Sequence, residues 1–419
     1  MNKYDVIIIG AGVSGLVAAG RSSELGAKVL VIEKMHRPGI KLLITGKGRC
    51  NITNSDDIEE FIKYVHPDGR FLRNAFHNFF SKDIIDILHK YGVETVVERG
   101  GRVFPVSNKS VDVLNALLSF AKEHKAEFYY NCKVSKLLIK QDSVIGVEII
   151  ENEEIIQFAA KKVIICTGGK SYPATGSTGD GYTLANTVGH TIEQPFQSLV
   201  PIVTKGPIAG QLQGLSLKNV QVSVFVNGQK QTAAFGEMLF THFGLSGPII
   251  LTLSRFIVEE IIDNNKIYVS IDLKPALDST KLDNRLLRDL NEYGKKQIEN
   301  IFKLWLPAKL IPVFIKECNI DPNKEGHQIT SQDRNAIKSL MKDFKIEVTG
   351  YRSFKEAIIT AGGISTKEIN PNTMESRLVK NLYFAGEVID VDADTGGYNL
   401  QIAYSTGWLA AEASVKSIG

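Results

Sequence analysis

Six residues near the N-terminus, Gly10-Ala11-Gly12-Val13-Ser14-Gly15, have the types and spacing to hold a pyrophosphate. Gly10 suits a tight turn, Gly12 lets the backbone approach phosphate oxygens, and Gly15 lets the following helix pack against the preceding strand. Ser14 lies within the same turn. A helix that starts here points unpaired N–H groups and its positive dipole end at an anion. Further on, Glu33 is placed to accept hydrogen bonds from ribose hydroxyls, with Lys34 beside it. Its negative charge opposes a 2′-phosphate at that position.

The elements that must position these residues are legible around them. Val6–Ile9 reads as a short strand that is apolar on both faces, as strands of parallel sheets are. Leu16–Leu25 reads as a helix ended by Gly26, and Lys28–Ile32 as the next strand, with Glu33 at its C-terminal end. Strand, glycine turn, helix, strand and acid in this order make the G-x-G-x-x-G specific for a dinucleotide.

The other end of the chain chooses the dinucleotide. Leu382–Ala385 reads as a strand ending at Gly386-Glu387, followed by a polar loop with Asp390. Gly396-Gly397-Tyr398-Asn399-Leu400 then opens a helix rich in small residues. A nicotinamide dehydrogenase does not need this segment. FAD does, because its flavin lies far from its adenine: the acid suits the ribityl chain, and the helix N-terminus suits the flavin N1/O2 edge. In the middle, Val163–Gly169 resembles the strand and glycine turn beside FAD in two-dinucleotide-type flavoproteins, with Thr167, Gly168 and Gly169 in the turn and Cys166 where Ala is usual.

Four more stretches narrow the resemblance. Lys41-Leu-Leu-Ile-Thr-Gly46-Lys-Gly48-Arg49-Cys50-Asn51-Ile-Thr-Asn54 is similar to the signature of a bacterial flavoprotein family that includes aminoacetone oxidase-like proteins and dehydro-bile-acid reductases. Tyr172–Gly181, Thr241–Pro248 and Thr360–Ile364 match the same family, so the resemblance spans essentially the whole chain. Lys47 departs from it, standing where a third Gly is frequent. The resemblance implies FAD as cofactor, with Lys41, Gly46, Gly48, Arg49, Cys50, Asn51 and Val134 added to the binding set. The loop makes physical sense there: glycines turn amides outward, Arg49 offers a planar cation for phosphate or flavin oxygens, and Asn51 both donates and accepts. Cys50 has no nearby second thiol, so a packing or polar role is preferred to redox chemistry.

The expected fold class is α/β, a Rossmann-type FAD-binding domain with an inserted β-rich domain and a helical lobe. The boundaries read as 1–190 and 360–419 for the FAD domain, 191–274 and 342–359 for the β-rich insert, and 275–341 for the helical lobe. Residues 56–128 read as mostly helical, Val134–Ile150 as a hairpin, and Asn227-Gly228 as a hairpin turn.

The expected function is hydride transfer between a small organic substrate and FAD, with NAD(P)H as transient co-substrate or oxygen as the other redox partner. A tRNA-modifying enzyme and a non-catalytic flavin-binding protein are the alternatives. Candidates on the substrate side are His242, Tyr172 and Tyr398, with His242 a proton donor or base set against a structural role in its turn. Bulk properties set the partners. The 419 residues carry a formal charge of +3 without a basic run, so no nucleic-acid partner is expected. No apolar stretch is long enough for a bilayer, and the four separated cysteines show no C-x-x-C pair, so neither a membrane nor a metal is expected and the chain reads as cytoplasmic. The oligomeric state stays open.

Overall fold

The computed structural model describes residues 3–151 and 153–418. The chain forms two compact units, Met1–Gln197 with Phe354–Gly419, and Ser198–Ser353. In the first, β1 (Lys3–Ile9) leads through the glycine turn into α1 (Val13–Glu24) and then β2 (Val29–Ile32). β1 pairs in parallel with β2 and with Glu154–Ile165, in the register Ile9↔Ile32 and Ile9↔Ile165. Leu382–Phe384 adds to Glu154–Ile165 in parallel, and Glu127–Tyr129 adds to β2. Val6, Ile7 and Ile8 are fully buried, which explains why this strand has no polar alternation. The remaining strands, Val134–Lys140 and Ser143–Glu151, continue the sheet antiparallel.

α1 packs closely on the C-terminal helix Tyr398–Lys416, because Gly407 presents no side chain: a Cβ there would lie 2.5 Å from the Ser14 carbonyl oxygen. The stretch 56–128 holds four α-helices, but it also forms strands. Thr53–Asn54, Arg102–Pro105 and Thr95–Val97 make a three-stranded sheet that helical spacing does not reveal.

The second unit is a closed barrel of six strands, in the order Ile202–Thr204, Gly244–Ser246, Gln229–Phe240, Ser216–Val226, Ile267–Asp272 and Phe344–Tyr351. Asn227 and Gly228 both have positive φ, as a tight two-residue hairpin turn requires. The helices Ser279–Glu292, Ile298–Phe302, Ile311–Glu317 and Ser331–Lys342 share one apolar core with the barrel. Barrel and helical lobe are thus one unit. Its borders lie at 197/198 and 353/354 rather than 190/191 and 359/360, since Ile192–Ser198 pairs with Ile359–Ile364. Among the described residues no helix is long and apolar enough to cross a membrane.

Candidate functional site

The glycine turn separates into two kinds of position. A Cβ on Gly15 would fall 1.9 Å from the Gly10 carbonyl oxygen, and one on Gly10 would fall 2.6 Å from that of Cys166, so both are fixed by the protein's own packing. A Cβ on Gly12 would meet nothing within 4 Å. The space in front of Gly12 is open, and Gly12 also caps α1. The first helical bond runs from Leu16 N–H to the Gly12 carbonyl, and no side chain caps the helix. The amides of Val13, Ser14 and Gly15 therefore face outward as donors for an anion.

Glu33 holds this turn. One carboxylate oxygen accepts the Ala11 N–H at 2.7 Å and the other the Met35 N–H at 2.8 Å, and the residue is buried. Lys34 turns to Asp180 at 2.6 Å, which Lys133 also contacts at 2.7 Å. Val134 is buried at the start of its strand, just after Cys132 donates to the Glu33 carbonyl.

A second cluster links distant segments. Lys41 Nζ lies 2.5 Å from Glu387 Oε2 and 2.6 Å from Ser171 Oγ. Ser171 donates to Glu387 Oε1 at 2.7 Å, and the Thr360 N–H donates to the same oxygen at 2.9 Å. Gly169 packs against Thr360 and Glu387, where a Cβ would come within 2.4 Å of the Thr360 hydroxyl. Sequence reasoning placed Lys41 and Glu387 separately in the site and missed Ser171, Thr360 and Asp180. The acid between two glycines in Gly179-Asp180-Gly181, within the stretch Tyr172–Gly181, was the available signal for the last of these.

The 45–51 loop is backbone-driven: Gly46, Lys47, Gly48 and Cys50 all have positive φ. Arg49 departs from expectation. Its guanidinium pairs with Glu98, bonds Asn108 at 2.6 Å and stacks over Phe104 at 4.1 Å, so it braces the strand arm rather than presenting itself to a phosphate. Cys50 is fully buried and burial pushes its thiol up to about 12. Asn51 Oδ1 and Thr167 Oγ1 are buried without a hydrogen-bond partner among the described residues.

The C-terminal helix repeats the α1 arrangement. Gln401 donates the first bond to Gly397, so the amides of Tyr398, Asn399 and Leu400 lead the helix. Gly397 sits against Thr53, whose carbonyl oxygen a Cβ would approach to 2.4 Å. The Asn399 side chain is spent on the Ala393 backbone, accepting at 2.9 Å and donating at 2.6 Å. Gly386 abuts Ser14, and Asp390 donates its N–H to Ile364.

The three substrate-side candidates are not equivalent. Tyr398 is buried and its hydroxyl donates to Asp56 at 2.7 Å; burial, reinforced by Asp56, raises its phenol far above the usual range. It is a structural tie between helix and loop. His242 is exposed at the tip of the Thr241–Gly244 turn of the second unit, edge-on to Phe243. Tyr172 is half-buried with a left-handed backbone, φ 51° and ψ 61°, held by its N–H to the Phe354 carbonyl. Burial, then Glu356, raises its phenol.

Two helix N-termini, an open approach at Gly12, a carboxylate at each end and two unpartnered buried oxygens fit a long dinucleotide cofactor. The family description "HI0933-like protein Rossmann domain" matches residues 4–413. A ribosomal RNA dihydrouridine synthase of Escherichia coli (strain K12) is 30% identical over 412 residues, 98% of each chain. A 3-dehydro-bile acid delta(4,6)-reductase of Clostridium scindens is 30% identical over 411 residues, again 98% of each. Among solved structures, the open form of a flavocytochrome c3 fumarate reductase aligns with a TM-score of 0.53 at 17% identity, covering 99% of this chain and 78% of that one. A 3-ketosteroid-delta4-(5alpha)-dehydrogenase from Rhodococcus jostii aligns with a TM-score of 0.52 at 13% identity, covering 99% and 97%. At these identities the structural likeness establishes the fold.

Proposed function

The chain belongs to the HI0933-like family of FAD-binding Rossmann proteins and is an FAD-dependent oxidoreductase, and from that premise we propose that it reduces a carbon–carbon double bond conjugated to a carbonyl, with NAD(P)H as electron donor and a uracil of ribosomal RNA as substrate. One observation carries this reading. The two full-length relatives at 30% identity have names that denote unlike molecules but the same functional group, an alkene activated by a carbonyl. Uracil presents it at C5=C6 next to the C4 carbonyl.

The reaction balances as NAD(P)H plus a proton plus uridine giving NAD(P)⁺ plus dihydrouridine. Carbon C6 gains the hydride, C5 gains the proton, and negative charge passes through the C4 oxygen between the two. Bound FAD supplies the two-electron hydride chemistry. The amides of Val13, Ser14 and Gly15 would hold its pyrophosphate, with Glu33, through the turn it fixes, keeping them aligned. The leading amides of Tyr398–Lys416 favour negative charge placed against them. Tyr172, whose phenol is raised by burial, keeps its proton through neutral pH and is suited to protonate C5.

The bile-acid relative, equal in identity and coverage, favours a second reading with a 3-oxo steroid enone as substrate. Anaerobic mixing separates the possibilities. Bleaching of the visible flavin band by NADH or NADPH, then recovery on adding uridine-containing ribosomal RNA, supports the first reading. Recovery with the steroid enone alone supports the second. Bleaching by aminoacetone and not by a nicotinamide would overturn both in favour of an oxidase.

A further inference from the structure

Tyr172 holds a backbone conformation that a side chain disfavours. With φ 51° and ψ 61° it lies in the left-handed region, where a Cβ crowds the following carbonyl oxygen and glycine is the ordinary choice. A bulky residue persists there only where its surroundings fix it, and such residues gather where function needs the side chain. Glycine would serve the turn alone better. What the position retains is the phenol, which is half-buried.

The bonds that fix this segment come from its own unit. The Tyr172 N–H donates to the Phe354 carbonyl at 2.9 Å, and the Tyr172 carbonyl accepts the Thr175 amide and the Thr175 hydroxyl, each at 2.8 Å. The two preceding amides, of Lys170 and Ser171, both donate to the hydroxyl oxygen of Thr360, at 2.8 and 3.0 Å. A hydroxyl oxygen has two lone pairs, so these amides take both. Ser171 is fully buried and Thr360 is 1% exposed, which leaves solvent no part in this contact.

The same threonine reaches the cofactor cluster through its main chain. Its N–H donates at 2.9 Å to Glu387 Oε1, the oxygen that also accepts the Ser171 hydroxyl at 2.7 Å. Gly169 leaves room for the arrangement, since a Cβ there would lie 2.4 Å from the Thr360 hydroxyl oxygen and 2.8 Å from Glu387 Oε1. Thr360 stands in Ile359–Ile364, a strand buried along its whole length, where valine would fill the space as well. The hydroxyl is thus needed for the two amides rather than for packing.

We propose that Thr360 is a positioning residue for the reduction: its hydroxyl oxygen clamps the two amides before Tyr172 and so aims the phenol at the carbon it protonates. The inference rests on the reading of Tyr172 as the acid for the double bond. In that step the Tyr172 O–H bond breaks and a C–H bond forms at the carbon next to the carbonyl. The phenolate left behind regains its proton from water, and the hydride on the other carbon originates in NAD(P)H. Thr360 acts only through the backbone it holds. Misplacing a reacting group by about 1 Å costs about a hundredfold in rate.

The test uses the FAD-loaded full-length protein and measures the two half-reactions separately under anaerobic conditions. Bleaching of the flavin band by NADPH reads the first. Its return on adding ribosomal RNA or the 3-oxo steroid enone, whichever reoxidises wild type, reads the second. Thr360→Val keeps the bulk and removes the acceptor, while the main-chain bond to Glu387 remains. It is expected to bleach as wild type does and to recover about ten- to a hundredfold more slowly. Thr360→Ser should restore the rate, and adding Thr360→Val to Tyr172→Phe should slow recovery little further, because the two act as a unit. Thr360→Ser and Thr360→Ala lose the same methyl and give the same comparison if the valine variant does not retain flavin. Recovery at the wild-type rate without the hydroxyl, both half-reactions slowed alike, or full additivity with Tyr172→Phe would overturn the positioning role. Tyr172→Phe that recovers as fast as wild type, or wild type reoxidised by neither substrate, would instead overturn the reading of the acid or of the reaction, and the inference with it.

Discussion

The sharpest consequence of the glycine turn is that two of its glycines, Gly12 and Gly15, should fail in opposite ways when given a methyl group. At Gly12 the backbone has φ −72° and ψ −171°, which alanine adopts freely, and a Cβ would point into open space. Gly12→Ala should therefore leave the cofactor-free protein unharmed, or stabilise it by about 0.4–1 kcal/mol through a less mobile unfolded chain. The same methyl occupies the space through which a pyrophosphate reaches the α1 amides. Losing one charge-assisted hydrogen bond costs about 1.5–3 kcal/mol, which is about ten- to a hundredfold in FAD affinity. Gly15→Ala is the converse, since its Cβ would sit 1.9 Å from the Gly10 carbonyl oxygen and the backbone has to move. That overpacking should cost about 1–3 kcal/mol of folding stability even with no cofactor present. Thermal melting of the stripped proteins and FAD titration by fluorescence quenching read the two effects apart. Gly12→Ala binding FAD as wild type does, or melting as low as Gly15→Ala, would refute the assignment of that space to the cofactor.

Three other outcomes follow from the same geometry. Removing the carboxylate with Glu387→Ala strips partners from Lys41, Ser171 and the Thr360 amide, and should cost about 3 kcal/mol in a urea melt, because it leaves a partly buried ammonium uncompensated. Cys50, with its thiol pushed up to about 12 by burial, should resist iodoacetamide at pH 8 in the native protein, and Cys50→Ala should retain bound flavin; mass spectrometry of labelled peptides checks both. His190, buried between Glu368 and Ser376, is lowered from its ordinary value of 6.5 by desolvation, against the opposing pull of Glu368. The unfolded chain then takes up the proton first as pH falls, so the stability present above pH 6.5 should decline toward the lowered value, and melting curves between pH 7 and 5 should lose that slope in His190→Gln.

The sequence spoke clearly where function constrains the backbone. The β1–turn–α1–β2 unit was legible because glycine spacing, an apolar run and a following acid are all local. The C-terminal helix was legible for the same reason. What could not be read was set by partners far along the chain. Arg49 looks like an anion-binding cation until the Arg102–Pro105 and Thr95–Val97 strands bring Glu98 and Phe104 against it. Those strands are only three or four residues long, too short for alternation to show: Val96 and Val97 are 43% and 58% exposed, while Val103, Phe104 and Pro105 are a short buried run. Tyr398 stands among the substrate-side candidates in the sequence, yet in the fold Asp56 claims its hydroxyl. The border near residue 191 was misplaced for the same kind of reason, because Ile192–Ser198 finds its partner strand only at Ile359–Ile364.

The proposed reaction leaves a mark on its substrate, and that mark is the most direct measurement. Ribosomal RNA from a strain lacking the corresponding gene is incubated anaerobically with the FAD-loaded protein, with and without NADPH, then digested to nucleosides and weighed. The expected result is a uridine heavier by two hydrogen atoms, formed only with NADPH and reduced in yield by Tyr172→Phe. Unmodified RNA from a protein whose flavin NADPH has demonstrably reduced would contradict the claim that uracil is the double bond this enzyme saturates.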